Sequence, residues 1–394
     1  MYQGRFDEAY SRFYKSTWNG AWQDAGYFAC ARISCMQGRY EEALYEVDRS
    51  LLRNWHSAKA RALKTAILRR MGRDDEARQL CRESLAIDRF NYGCLFVEYL
   101  ITADTSALDS LIELMHGNAH NYDEIALDFC AAGLWPEAEA LWKVAIESGA
   151  VTPMTRYYLG WALLQAGDEE RARKEFAAGA AESPDMVFPN RLEAISALRA
   201  AIAENPADAF ANHYLGNLFY DKRQYDLAQA HWEHAAELKP DYPTVWRNLA
   251  LLYYNKRDDA SKALECMERA FSLDETDSRV LMELDQLYKK LQHPHADRLA
   301  FLRKYPSLID LLTQCLEYPH HLGEGKLYGA QENDFYYLLG VCHRATGNTV
   351  EAERCFRQAT LGPTEPAAAM YYNDAKPDKI FYAGLAFRTL LPLL

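Results

Sequence analysis

Two histidine pairs and one lysine-bearing loop are the residues in this sequence whose types and spacing invite chemistry. His293 and His295 stand two apart, and His320 and His321 are adjacent. A zinc site needs several Cys, His or carboxylate ligands at spacings that gather them round one ion. Neither pair has such partners nearby, and the string HPH reads as a turn, so no metal is predicted. GEGK at Gly323–Lys326 resembles a phosphate loop, but the earlier Gly, a Ser or Thr after Lys326 and a preceding strand are all missing. Its surroundings, Tyr318–Asn333, read as a long loop that could serve as a contact surface. Asp and Glu number 56 and are spread as solvated helix faces would be, with no nucleophile–base pair or carboxylate dyad. The sequence therefore predicts no catalytic residue, no enzyme and no cofactor. The nine Cys are scattered, with no CxxC, and read as buried free thiols of a reducing, cytoplasmic setting.

Binding is the chemistry that remains, and it depends on the elements that present the binding groups. A Gly followed five residues later by Ala recurs at Gly4/Ala9, Gly38/Ala43, Gly72/Ala77, Gly133/Ala138, Gly167/Ala172 and Gly347/Ala352. The first three of those Ala residues lie 34 residues apart. Ala228 and Ala263 follow similar turns in which the Gly is replaced. Seven residues after the Ala comes another small residue, as at Ser50, Ala145, Ala235 and Ala270; four after it is often an aromatic, as at Trp142, Phe176, Trp232 and Phe356. A repeat of this period predicts stacked helix hairpins, with small residues where backbones approach and large ones filling the gaps. The 49% hydrophobic fraction and sparse Gly (20) and Pro (14) among 394 residues fit a helical chain. No run is long enough for a membrane helix. The net charge of −12 disfavours nucleic acid and anionic membranes as partners.

The unit Ala209–Tyr242, with Leu215-Gly216, Phe219, Ala228, Trp232, Ala235 and Pro240, closely resembles the tetratricopeptide repeat. The resemblance implies an all-α, right-handed superhelical solenoid of antiparallel helix pairs, A and B, as one body over 1–394. The register puts a half repeat at 1–23 and repeats across 24–186, with a degenerate hairpin at 92–118. A lone helix follows in 187–208, then central repeats in 209–306, and a lone helix with a long loop in 307–332. A repeat and a half fill 333–394. The strings TVWRNLALLYYNKRDD, LMELDQLYKKL and LGEGKLYGAQENDFYYLLG further resemble the C-terminal repeat half of large bacterial proteins that carry an N-terminal β-rich domain of unknown function. That likeness implies an absent β-rich domain, thought to be carbohydrate-related, and a missing hairpin marked by a break near Ser307–Asp310. Because the chain begins with a helix B and ends with a helix A, end-to-end stacking of copies, as a structural module serving that domain, is the alternative to a binding role.

In tetratricopeptide proteins helix A lines the inner groove. The positions this implies are Phe210, His213, Asn217, Tyr220 and Asp221 in one repeat and Thr244, Arg247, Leu251, Tyr254 and Asn255 in the next. Arg279, Met282, Gln286, Lys289 and Lys290 follow in the third. Aromatic platforms interleaved with amides and cations suit an extended peptide or protein segment. Some members of the family clamp a C-terminal carboxylate. Carried over, that clamp falls on His213, Asn217, Asn248, Arg279 and Glu283, and the acidic Glu283 argues against an acidic tail. Trp161, Arg32, Arg69 and Arg70 fall at groove positions of earlier repeats.

Overall fold

The computed structural model describes residues 3–302, 308–317, 330–365 and 377–391, and the regular structure of these residues is helical throughout. The chain divides into two compact units, Met1–Ser183 with Pro189–Ala211 and Pro184–Phe188 with Asn212–Leu394. The expected break near Ser307–Asp310, the His320/His321 pair and the GEGK string fall wholly or partly outside the described residues.

In the first unit the helices are α1 Phe6–Ser16, α2 Gln23–Met36, α3 Tyr40–Leu51, α4 Ala58–Arg70, α5 Asp74–Ile87 and α6 Tyr92–Thr102. They continue as α7 Thr105–Met115, α8 Ala119–Cys130, α9 Trp135–Glu147, α10 Pro153–Gln165, α11 Glu169–Ala181 and α12 Glu193–Glu204. Neighbours pair as hairpins, α2 on α3, α4 on α5, α8 on α9 and α10 on α11. Short polar side chains start many of them: Asn91, Asp104, Asn118 and Asp168 each accept a backbone N–H, and Thr152 forms a capping box with Thr155 ahead of Pro153. Helix α12 has no hairpin partner of its own before it and packs on α10 and α11 instead.

The hairpins are held close by small residues. Ala43, Ala77, Ala138 and Ala172 are fully buried where A meets B. This unit also joins hairpins distant in sequence. A side chain on Gly133 would lie 2.7 Å from the Met36 Cα, so the α8–α9 turn rests directly on the end of α2. Beside it the Arg32 Nε donates to the Ala131 carbonyl at 3.3 Å. Arg69 and Arg70 both reach the buried Glu137, at 3.0 and 2.6 Å.

Around the second unit run α13 Ala209–Asp221, α14 Tyr225–Leu238, α15 Pro243–Leu252, α16 Ala260–Leu273, α17 Ser278–Lys290 and α18 His295–Leu302. After them come α19 Leu308–Gln314, α20 Asn333–Ala345, α21 Thr349–Ala359 and α22 Pro377–Leu390. The one-residue insertion in the turn after α15 is absorbed as a π-helical turn, Tyr253–Arg257. The turns that lack glycine keep its backbone: Arg223 and Asp258 have φ of 59° and 54°, against 73° at Gly38. Gly216 lies under the Trp232 indole, where a Cβ would be 2.4 Å from the ring. Ala352, Phe356, Ala359, Ala386 and Leu390 form a core between α21 and α22.

Candidate functional site

The A helices of the second unit, α13, α15 and α17, are tied together by polar side chains on the face the sequence singles out. The network begins at a buried indole. A buried Trp N–H needs an acceptor, and Trp232 Nε1 finds Asn217 Oδ1 at 2.9 Å. Since indole can only donate, this contact fixes which way the Asn217 amide points. The same Oδ1 accepts from Asn248 Nδ2 at 3.1 Å, which links α13 to α15. Asn217 Nδ2 is then left facing His213 Nε2 at 3.1 Å. That nitrogen must accept, so the ring proton sits on Nδ1. His213 is 3% exposed, and burial pushes its pKa down to about 3, so it is neutral. Tyr242 and Tyr214 meet its ring edge to face, with centres 5.2 and 5.7 Å away.

One helix further on the face becomes charged. Arg247 holds Glu283 with a two-pronged bond, Nε to Oε2 at 2.7 Å and Nη2 to Oε1 at 2.6 Å. Arg279, one turn before Glu283, lies 3.4 Å from the same carboxylate. Arg247 is 6% exposed, so this pair is largely desolvated. Glu283 therefore does not present a bare negative charge: two guanidinium groups flank it. At the far end the Lys290 ammonium sits 4.8 Å from the centre of the Tyr254 ring.

The expected groove residues thus separate by depth. His213 and Arg247 are buried, while Asn217, Asn248, Tyr220 and Tyr254 are half-buried. Asn255, Gln286 and Lys290 are exposed, and Arg279 is half-buried. Tyr220 packs between Trp232 and Tyr225, with ring centres 5.2 and 5.3 Å away, and burial raises its pKa. Phe210 is half-buried and lies in the stretch assigned to the first unit. Sequence reasoning missed Trp232 and Tyr242 as members of this network. The one available signal was the need of a buried indole for an acceptor, which pointed back to α13.

No helix among the described residues is long and apolar enough to cross a membrane. All nine cysteines are free, and seven of them are buried. Models of the tetratricopeptide repeat match residues 124–187 and 334–361, and a TPR repeat model matches 216–256. Among solved structures, YrrB, described as a TPR protein with an unusual peptide-binding site, is 14% identical. That match covers 60% of this chain and 96% of YrrB at a TM-score of 0.23. Pseudomonas aeruginosa pilF is 17% identical over 61% of this chain and 89% of its own, at a TM-score of 0.30. Human IFIT1, solved as a dimer with PPP-AAAA, is 15% identical over 85% and 90%, also at 0.30. The chain is an all-α protein that carries tetratricopeptide repeats.

Proposed function

We propose that this protein is a non-catalytic scaffold that holds an extended peptide or protein segment along α13, α15 and α17. The observation that supports this reading is the layering of that face. A buried network fixes the helices, and Tyr254, Asn255, Arg279, Gln286 and Lys290 stand above it with aromatic, amide and cationic groups. Such groups hydrogen-bond backbone carbonyls and pack side chains without one deep pocket. The buried His213 and Arg247 act by setting the spacing of the helices. Nine free thiols favour a reducing, cytoplasmic location, and the charge of −12 disfavours nucleic acid as the partner. Affinity capture from the source cell with wild type and an Asn255→Ala/Arg279→Ala/Lys290→Ala variant tests the reading. The variant is expected to lose specific proteins from the captured set; identical sets overturn the assignment.

Self-association is a second reading, favoured by exposed apolar surface on two outlying helices. No side chain of α1 is buried, and α22 exposes Phe381 and Phe387 at 61% and 50%. Light scattering at high concentration decides it: a 45.1 kDa particle rules it out.

A further inference from the structure

Where α4, α5 and α6 meet, the first unit encloses a polar cluster that the reading above leaves unused. Arg61 and Thr65 come from α4, Cys81 and Ser84 from α5 and Cys94 from α6, and all five are buried. Arg61 is 1% exposed, yet among the described residues no carboxylate pairs with it. Its Nε donates to the Trp55 carbonyl at 2.8 Å and its Nη1 to the Ser84 Oγ at 3.3 Å. The Trp55 ring covers it, with the centre 4.0 Å away, and its Nη2 has no partner among the described residues. A buried guanidinium without a carboxylate is costly, and an anion formed beside it offsets part of that cost. Two acidic groups bear on it: the Cys94 thiol inside the cluster, and Glu83, exposed on α5. The Cys81 Sγ lies 3.3 Å from the Cys94 carbonyl oxygen, and the Cys94 Sγ lies 3.6 Å from the Thr65 Oγ1. The Thr65 and Ser84 hydroxyls donate to carbonyls one turn back, at 2.8 and 2.6 Å, and each can turn to the Cys94 sulfur once it ionises. The Cys81 thiol, these hydroxyls and the Arg61 charge lower the pKa of Cys94 against the effect of its burial, while the same contact and burial raise that of Cys81. Elsewhere burial pushes Cys30, Cys35 and Cys266 up to about 12.

We infer that Cys94 is a modification site for hydrogen peroxide, and that its oxidation closes a reversible disulfide with Cys81 between α5 and α6. The thiolate, not the thiol, is the nucleophile, and this cluster supplies Cys94 with both donors and a counter-charge. The Cys94 thiolate attacks one oxygen of the peroxide, the O–O bond breaks, and the leaving hydroxide takes up the proton that Cys94 released. The Cys81 sulfur then attacks the sulfenic sulfur; the S–S bond forms, and the departing hydroxide leaves with the Cys81 proton as water. Two thiols are oxidised and one peroxide is reduced to two waters. Burial selects the reagent, because peroxide is little larger than water and bulkier oxidants do not reach sulfurs without exposed surface. Burial also shields the sulfenic sulfur from other thiols, which leaves Cys81 to resolve it. Arg61 makes the bond easy to reopen: the disulfide leaves the guanidinium uncompensated again, and a stabilised thiolate favours the reduced pair. The bond is therefore of the labile, regulatory kind suited to a reducing compartment.

The test treats the full, reduced chain with hydrogen peroxide, blocks remaining thiols with N-ethylmaleimide in urea, and maps tryptic peptides by mass spectrometry. Cleavage after Arg82 and Arg89 separates the two cysteines, so a linked pair of peptides reports the bond. The Cys81–Cys94 link is expected before any other thiol is lost, and dithiothreitol is expected to remove it. Cys81→Ser is expected to stop at a Cys94 sulfenic acid, which dimedone tags on unfolding, and Cys94→Ser to leave Cys81 reduced. Arg61→Gln is expected to slow the linkage at least about tenfold, while Cys35→Ser reacts as wild type. Circular dichroism checks that each variant is folded, and the order of thiol loss in the wild type keeps the test open should Arg61→Gln unfold. Absence of the Cys81–Cys94 link when other thiols are already oxidised, an earlier link between another pair, oxidation of Cys81 unchanged in Cys94→Ser, or a folded Arg61→Gln within about twofold of the wild-type rate each overturns the proposal.

Discussion

Trp142 in the first unit and Trp232 in the second occupy the same register of their repeats, each 23 residues after the first residue, Ala119 or Ala209. Both are buried, and both donate an indole N–H at 2.9 Å, yet they chose different acceptors. Trp232 sits against Gly216 and reaches Asn217. Trp142 has Ala126 in the position of that glycine, and it reaches Asp123, one turn of helix A earlier in the register. Thr155 adds a hydroxyl to the same carboxylate at 3.3 Å. Among the described residues no cation joins Asp123, and burial pushes its pKa up to about 7. At the register of Asn217 the first unit has Leu127, which offers no amide, and at that of His213 it has Asp123; these identities, with Ala126 in place of Gly216, separate an amide network that ties two repeats together from a buried acid. The lesson is that equivalent repeats, alike in backbone, can differ in the sign of their response to pH.

The signs follow from linkage. An unfolded aspartate titrates near ~3.9, so between about pH 4 and 7 the unfolded chain sheds a proton that Asp123 keeps. The first unit loses this stability as pH rises through that window. An unfolded histidine titrates near ~6.5, whereas His213 stays neutral down to about 3. Below about pH 6.5 the unfolded chain takes up a proton that the fold refuses, and the second unit loses stability as pH falls.

The largest expected effect breaks both sides at once. Trp142→Ala and Trp232→Ala should each cost about 3–5 kcal/mol, read as earlier urea unfolding of the unit that carries the change; two equal effects on both units would merge the regions. Next, His213→Gln should flatten the acid limb of the second unit, relieving on the order of 3 kcal/mol at pH 4 and little at pH 8. Asp123→Asn should do the reverse in the first unit, gaining on the order of 4 kcal/mol at pH 8 and nothing near pH 4. Stability curves of the same slope for wild type and variant would remove the contrast. The smallest effect sharpens it. Gly216→Ala drives a methyl into Trp232, an overpacking cost of ~1–3 kcal/mol, against a gain of about 1 kcal/mol in helix propensity. Calorimetry should show a net loss of around 1 kcal/mol in the second unit.

The helical architecture was legible because it is set by local, repeated choices. Gly216 and Ala228 are small where the helices touch, and the turn before Ala228 takes the same left-handed backbone whether glycine or Arg223 supplies it. The extra residue near Asn255 was visible in the spacing, and the chain took it up as a π-turn. The candidate site was legible only as a face. Position on helix A said that His213 and Arg247 point inward, but not how deep they lie. That depth comes from Tyr242 and Glu283, which reach them from other elements 29 and 36 residues away.

The seat of Gly133 on Met36 has a bearing on how this protein can vary over time. Open arrays lengthen or shorten by copying or dropping a whole repeat, since each repeat meets only its neighbours. Here two hairpins with two others between them are in contact, so the number of residues from Met36 to Gly133 is set by geometry. Duplication inside that span would pull the contact apart, whereas growth beyond α12 would leave it intact.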